Sequence, residues 1–150
     1  MKWKYVIFFC ALAVMAFCFI KIVYPIINIS SVYPPMKEYN FSLTTDKLAN
    51  EIIKISNNDT NINYKITDTT GTSNDNLKYY ADINLKNDST LYSYNFFYIK
   101  LDKTHSKIGL VGAFDKTHKF GGYQNDSKDM QNLIAIFENK FIDRINSNQH

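Results

Sequence analysis

Between Ile62 and Phe114 apolar residues recur at every second position, and that period commits the middle of the chain to β-strands. Ile62, Tyr64 and Ile66 alternate with Asn63 and Lys65. Leu77, Tyr79, Ala81, Ile83 and Leu85 alternate with polar residues, and the stretches 92–101 and 107–114 complete four strands. The segments between them are 68–76, a two-residue turn at Asp88-Ser89, and Lys103-Thr104-His105. Connections this short join antiparallel neighbours, so the last three strands form a meander.

The period changes to that of a helix on either side of this block. Leu48, Ile52 and Ile55, flanked by Ala49 and Ile53, predict a short amphipathic helix over 45–56. Met130, Leu133, Ile134, Phe137, Phe141 and Ile145 form one stripe on a second helix, with Asp126 placed as its N-cap and Asp129 three residues on. The expected fold is α+β: a four-stranded antiparallel sheet with two helices packed on one face, preceded by a single N-terminal transmembrane helix.

Register decides which face the helices cover. With Asp88-Ser89 as the turn, Tyr92, Tyr94, Phe96 and Tyr98 fall opposite Leu85, Ile83, Ala81 and Tyr79, and one face becomes wholly apolar. A three-residue loop would set Ile83 against Ser93 and mix polar residues into both faces. Continuing past a Lys103-Thr104-His105 loop brings Leu110, Gly112 and Phe114 onto the apolar face, with Gly112 beneath Phe96. On the opposite face Tyr80 meets Phe97, Phe97 meets Val111, and Ile99 lies opposite Gly109. Tyr80, Phe97, Ile99 and Val111 thus make an apolar centre among Lys78, Asp82, Asn84, Ser93 and Asn95. Recognition patches are commonly built in this way.

The N-terminus sets the location. Val6 to Ile20 carries no charge, and apolar residues continue past Lys21 to Ile27, long enough for a bilayer that needs ~20 residues. Residues 5–27 are read as an uncleaved anchor, because a cut after Ala16 would leave the greasy end Phe17-Cys18-Phe19-Ile20. Phe17 before Cys18 also fits lipoprotein processing poorly. Lys2 and Lys4 precede the segment, which places the N-terminus in the cytoplasm and the domain outside it. Residues 28–42, stiffened by Pro34-Pro35, read as a tether, and 43–150 as the extracytoplasmic domain.

Charge and cysteine content remove several chemistries. From Asn28 onward 14 Lys and Arg balance 14 Asp and Glu, so the domain lacks the basic footprint of a nucleic-acid binder. Both cysteines, Cys10 and Cys18, lie in the anchor, leaving no disulfide, thiol nucleophile or Cys-based metal site outside it. Lys, Asn, Ile, Tyr and Phe make up 73 of the 150 residues. In so biased a composition the five Asn-x-Ser/Thr sequons carry little information.

One motif invites a catalytic reading. Asp102-Lys103-Thr104-His105 recurs as Asp115-Lys116-Thr117-His118, giving two Asp/His pairs of the kind used in acid–base or metal chemistry. The copies bracket a strand of eight residues, roughly 26 Å long, so they read as two polar turns at opposite edges of the sheet. No nucleophile elbow, phosphate loop or dinucleotide glycine pattern is present, and Gly121-Gly122 reads as an isolated turn. No catalytic residue, metal or cofactor is assigned.

The expected function is a membrane-anchored interaction module binding a protein or envelope component, such as an immunity protein or an accessory subunit of an envelope complex. An envelope hydrolase using His105 or His118 with a neighbouring Asp is the alternative. A carbohydrate binder is a third class, disfavoured because the register buries most of the tyrosines.

Overall fold

Alternation produces four long antiparallel strands: β2 (Ile62–Thr70), β3 (Lys78–Asn87), β4 (Thr90–Lys100) and β5 (Ser106–Asp115). The structure, a computed structural model, describes residues 33–71 and 77–148. The expected anchor at 5–27, the tether as far as residue 32, and both cysteines lie outside the described residues. The chain divides after Pro34, and every element below belongs to the unit Pro35–His150.

The register of β3 on β4 is that of the two-residue turn. Asn87 lies opposite Thr90, and Leu85, Ile83, Ala81 and Tyr79 lie opposite Tyr92, Tyr94, Phe96 and Tyr98. Asp88 makes the tight reversal in the left-handed region at φ 53°, which an Asp side chain tolerates better than most residues. One face is consequently apolar, with Ala81, Ile83, Tyr94, Phe96 and Tyr98 all buried.

Among the described residues the sheet has six strands, not four. Its order is β1-β5-β4-β3-β2, where β1 is Lys37–Phe41, and β6 (Phe120–Gly122) also pairs with β5. β1 lies within the segment expected to be a tether, and at five residues it is too short to show a period. Phe41 nevertheless buries its ring, and Met36 N–H donates to the Leu110 carbonyl at 2.7 Å. β6 contains the two glycines expected to form an isolated turn. Gly121 sits at φ 138°, and a Cβ there would come within 2.3 Å of the Ala113 carbonyl. Only glycine lets this strand approach.

β1 and β6 share the outer edge of β5, the first pairing with 106–110 and the second with 113–115. Between them β5 bulges. Phe96 faces Leu110 and Asn95 faces Gly112, so Val111 has no partner on β4. A bulge of one residue reverses the facing of everything beyond it. Ile108 and Leu110 point to the core, and so do Ala113 and Asp115, whereas Gly112 and Phe114 move to the other face, contrary to expectation. The β4–β5 loop also runs over five residues instead of three, because Lys100 pairs with Ser106. That two-residue difference places Leu110, not Gly112, opposite Phe96.

Thr44 caps the first helix, α1 (Thr45–Asn58), by accepting from the Lys47 N–H at 3.3 Å; Leu48, Ile52 and Ile55 are its buried face. The second helical segment runs as α2 (Lys128–Phe137), a π-helical turn (Glu138–Ile142) and α3 (Asp143–Ser147). Its cap is Ser127, whose hydroxyl accepts from Met130 N–H at 3.2 Å, one residue later than the expected Asp126. Phe137, Phe141 and Ile145 recur every four residues, wider than the 3.6 of an α-turn. The wider π winding keeps all three on the sheet side, where each is fully buried. No helix among the described residues is long and apolar enough to cross a membrane.

Helices and sheet meet in an aromatic seam. Phe137 packs against Tyr39, Tyr94, Phe96 and Phe141 at centroid distances of 6.0, 5.0, 6.1 and 5.3 Å. The Tyr94 hydroxyl, buried in that seam, donates to the Leu133 carbonyl at 3.0 Å. At the rim Lys37 pairs with Glu138 and Arg144 with Asp59, each at 2.6 Å. Exposed pairs of this kind contribute about 1 kcal/mol at most, so the seam dominates. Phe137→Ala is expected to cost about 3–5 kcal/mol in denaturant unfolding of the domain. A midpoint close to that of the parent chain would show that the helix does not pack here.

Candidate functional site

The buried residues of α1, α2 and α3 all join one cluster with the apolar face of the sheet. The opposite face therefore has no helix packed on it among the described residues. Strand pairing puts Lys78, Tyr80, Asp82 and Asn84 there from β3, Ser93, Asn95, Phe97 and Ile99 from β4, and Lys107, Gly109, Gly112 and Phe114 from β5.

Tyr80 and Phe97 sit opposite one another, their rings edge-on at 6.2 Å. Phe97 is only 5% exposed although it lies outside the core cluster. Its ring lies across Gly109, where an added Cβ would come within 2.3 Å of the ring carbons. Lys78 lies above, its Nζ 3.8 Å from the Phe97 centroid and 4.8 Å from that of Tyr80. An ammonium over a ring face is worth about 0.5–2 kcal/mol, depending on exposure. Phe97 is thus the floor of the patch, and Tyr80 and Lys78 are its surface.

The other two expected contacts are corrected. Phe97 faces Gly109, not Val111, which occupies the bulge; Ile99 faces Lys107, not Gly109. Both shifts follow from the five-residue loop. Lys107 in turn donates to Glu38 Oε1 at 2.8 Å, so the edge strand β1 fixes one border of the patch. Asn95 donates to Asp82 at 2.6 Å in the middle of the face.

A second aromatic group lies beyond that polar pair, and it was not anticipated. Phe114 and Tyr123 meet edge-on at 5.3 Å, and Lys116 Nζ stands 4.9 Å from the Phe114 centroid. Tyr123 also leans over Gly112, where an added Cβ would lie 2.9 Å from its ring. Phe114 faces Ser93, four residues from Phe97 along β4, so the two groups stand roughly 13 Å apart along the strands. The only sequence sign of this placement is Gly112, a residue type that often marks a bulge.

The repeated Asp-Lys-Thr-His tetrapeptides fold alike, at the two ends of β5. In the first, the Asp102 carboxylate accepts from the backbone N–H of Thr104 at 2.7 Å and of His105 at 2.8 Å, and its other oxygen lies 2.8 Å from His105 Nδ1. In the second, Asp115 accepts from Thr117 and His118 N–H at 2.9 and 2.8 Å and pairs with His118 Nδ1 at 2.8 Å. The second turn is docked onto the β3–β4 reversal, with Thr117 Oγ1 accepting from Leu91 N–H and Lys116 N–H donating to the Leu91 carbonyl. In both, the carboxylate orders its own loop and takes up the adjacent imidazole. Among the described residues no three His, Cys, Asp or Glu side chains gather as metal ligands.

These hydrogen bonds act on the carboxyl groups. The Thr104 N–H, with those of His105, holds Asp102 down at about 2. Burial of Asp115 opposes its ionisation, but the His118 and Thr117 donors outweigh it and hold that carboxyl below the usual range.

Two outcomes follow from this geometry. Gly109→Val drives a side chain into the Phe97 ring and is expected to cost about 1–3 kcal/mol, most of it recovered in a Phe97→Leu background. Additive effects of the two substitutions in urea would show that the ring does not lie on Gly109. For Asp102, whose carboxyl in the folded state sits below the ~3.9 of an unfolded chain, the stabilisation is present above that value and is lost as pH falls towards 2. Urea midpoints measured from pH 5 to pH 2 should therefore fall less steeply for Asp102→Asn than for the parent; parallel curves would remove the carboxylate from the loop.

No family model, curated protein or solved structure matches this chain.

Proposed function

We propose that this protein is a membrane-tethered interaction module that presents the helix-free face of its sheet to a protein or envelope component outside the cytoplasm. The observation that carries this reading is the composition of that face. Tyr80, Ile99, Val111, Phe114 and Tyr123 remain partly accessible, Tyr123 the most at 38%, on a sheet surface with no described helix against it. Aromatic and aliphatic side chains ringed by polar ones are what a recognition surface needs, since the centre supplies most of the affinity and the rim excludes water. The uncharged N-terminal stretch supplies the membrane anchor, and the balanced charge of the remainder favours a partner recognised by shape over one recognised by net charge. Immunity proteins and accessory subunits of envelope complexes are members of this class.

The hydrolase alternative has less support. Its two Asp/His pairs lie at opposite ends of a ten-residue strand, each engaged in its own turn.

Location and surface are tested separately. A C-terminal reporter active only outside the cytoplasm should give signal in the intact chain and remain with membranes after carbonate washing. Activity of a cytoplasm-only reporter would reverse the orientation. For the surface, a photo-crosslinking residue placed at Tyr80 or Ile99 should capture a discrete partner in cells, whereas the same residue at Lys54, on the exposed side of α1, should not. Equal capture from both positions would remove the sheet face as the binding surface.

A further inference from the structure

We draw no further inference here: the strongest candidate, the hollow of about 400 Å3 between the N-terminus of α1, the start of β3 and the β4–β5 loop, rests on a helix N-terminus beside which Lys100 and Lys103 are matched by Asp46 and Asp102, and the unpartnered hydroxyl of the partly buried Thr45 is too little to specify a ligand.

Discussion

Phe137 stands on the rings of Tyr94 and Phe96, and the rest of the domain is arranged so that this contact stays dry. A slip of one residue between β3 and β4 would turn Asn95 and Ser93 towards the helix, burying polar groups with no partner there. The apolar face therefore fixes the register more firmly than the Asp88-Ser89 turn, which lacks the glycine usual at such reversals. Three of the hydroxyls at the seam are also held by partners. Burial pushes the Tyr94 phenol upward and keeps it neutral, with the Leu133 carbonyl as its acceptor, and the Tyr64 and Tyr98 hydroxyls meet at 3.2 Å. The π turn belongs to the same constraint, because without it Phe141 and Ile145 would drift off the sheet.

The bulge at Val111 governs the other half of the molecule. It lies where β1 stops pairing and β6 begins, so a single strand accepts two short edge strands on one side. Those strands cover what would otherwise be a long bare edge. At the far edge β2 carries Lys65 and a register shift between Ile66 and Asp68, two features that discourage further strands from adding. The reversed facing beyond Val111 has a second effect: it sends Ala113 and Asp115 inward and Phe114 outward. The aromatic content of the outer face is thus set by one unpaired residue.

Elements whose residues repeat a period several times were legible in the sequence. The four long strands, the pairing of β3 with β4, both helices and the buried stripe from Met130 to Ile145 follow from period and from segregation of polar residues. What escaped was short or non-periodic. β1 and β6 have five and three residues, too few to establish alternation. The cap moved from Asp126 to Ser127, a one-residue difference between two equally good capping types. Of the patch, the Tyr80–Phe97 pair was legible because it depends only on the β3–β4 register. The cross-strand partners of Phe97 and Ile99 were misassigned because they depend on a loop whose length is set by the Asp102 carboxylate folding back on Thr104 and His105. No hydrophobic pattern encodes that hydrogen bonding.

On the proposed reading, the geometry of the outer face also bears on how copies of the chain avoid one another before a partner is met. Rings exposed edge to edge on a sheet invite association between copies, and tethering to one membrane would concentrate them. Here the rings lie low. Phe97 occupies the space above Gly109, Tyr123 leans over Gly112, and Lys78 and Lys116 stand over the aromatic groups with their charged ends. Lysine stems shield apolar surface while the ammonium stays hydrated, at little cost to the folded state. On the proposed reading, a partner therefore meets a surface on which two lysine ammonium groups stand over the rings. Its affinity must come from moving or sharing those lysines over Phe97 and Phe114, and from packing against Tyr80 and Ile99, which the lysines leave partly open.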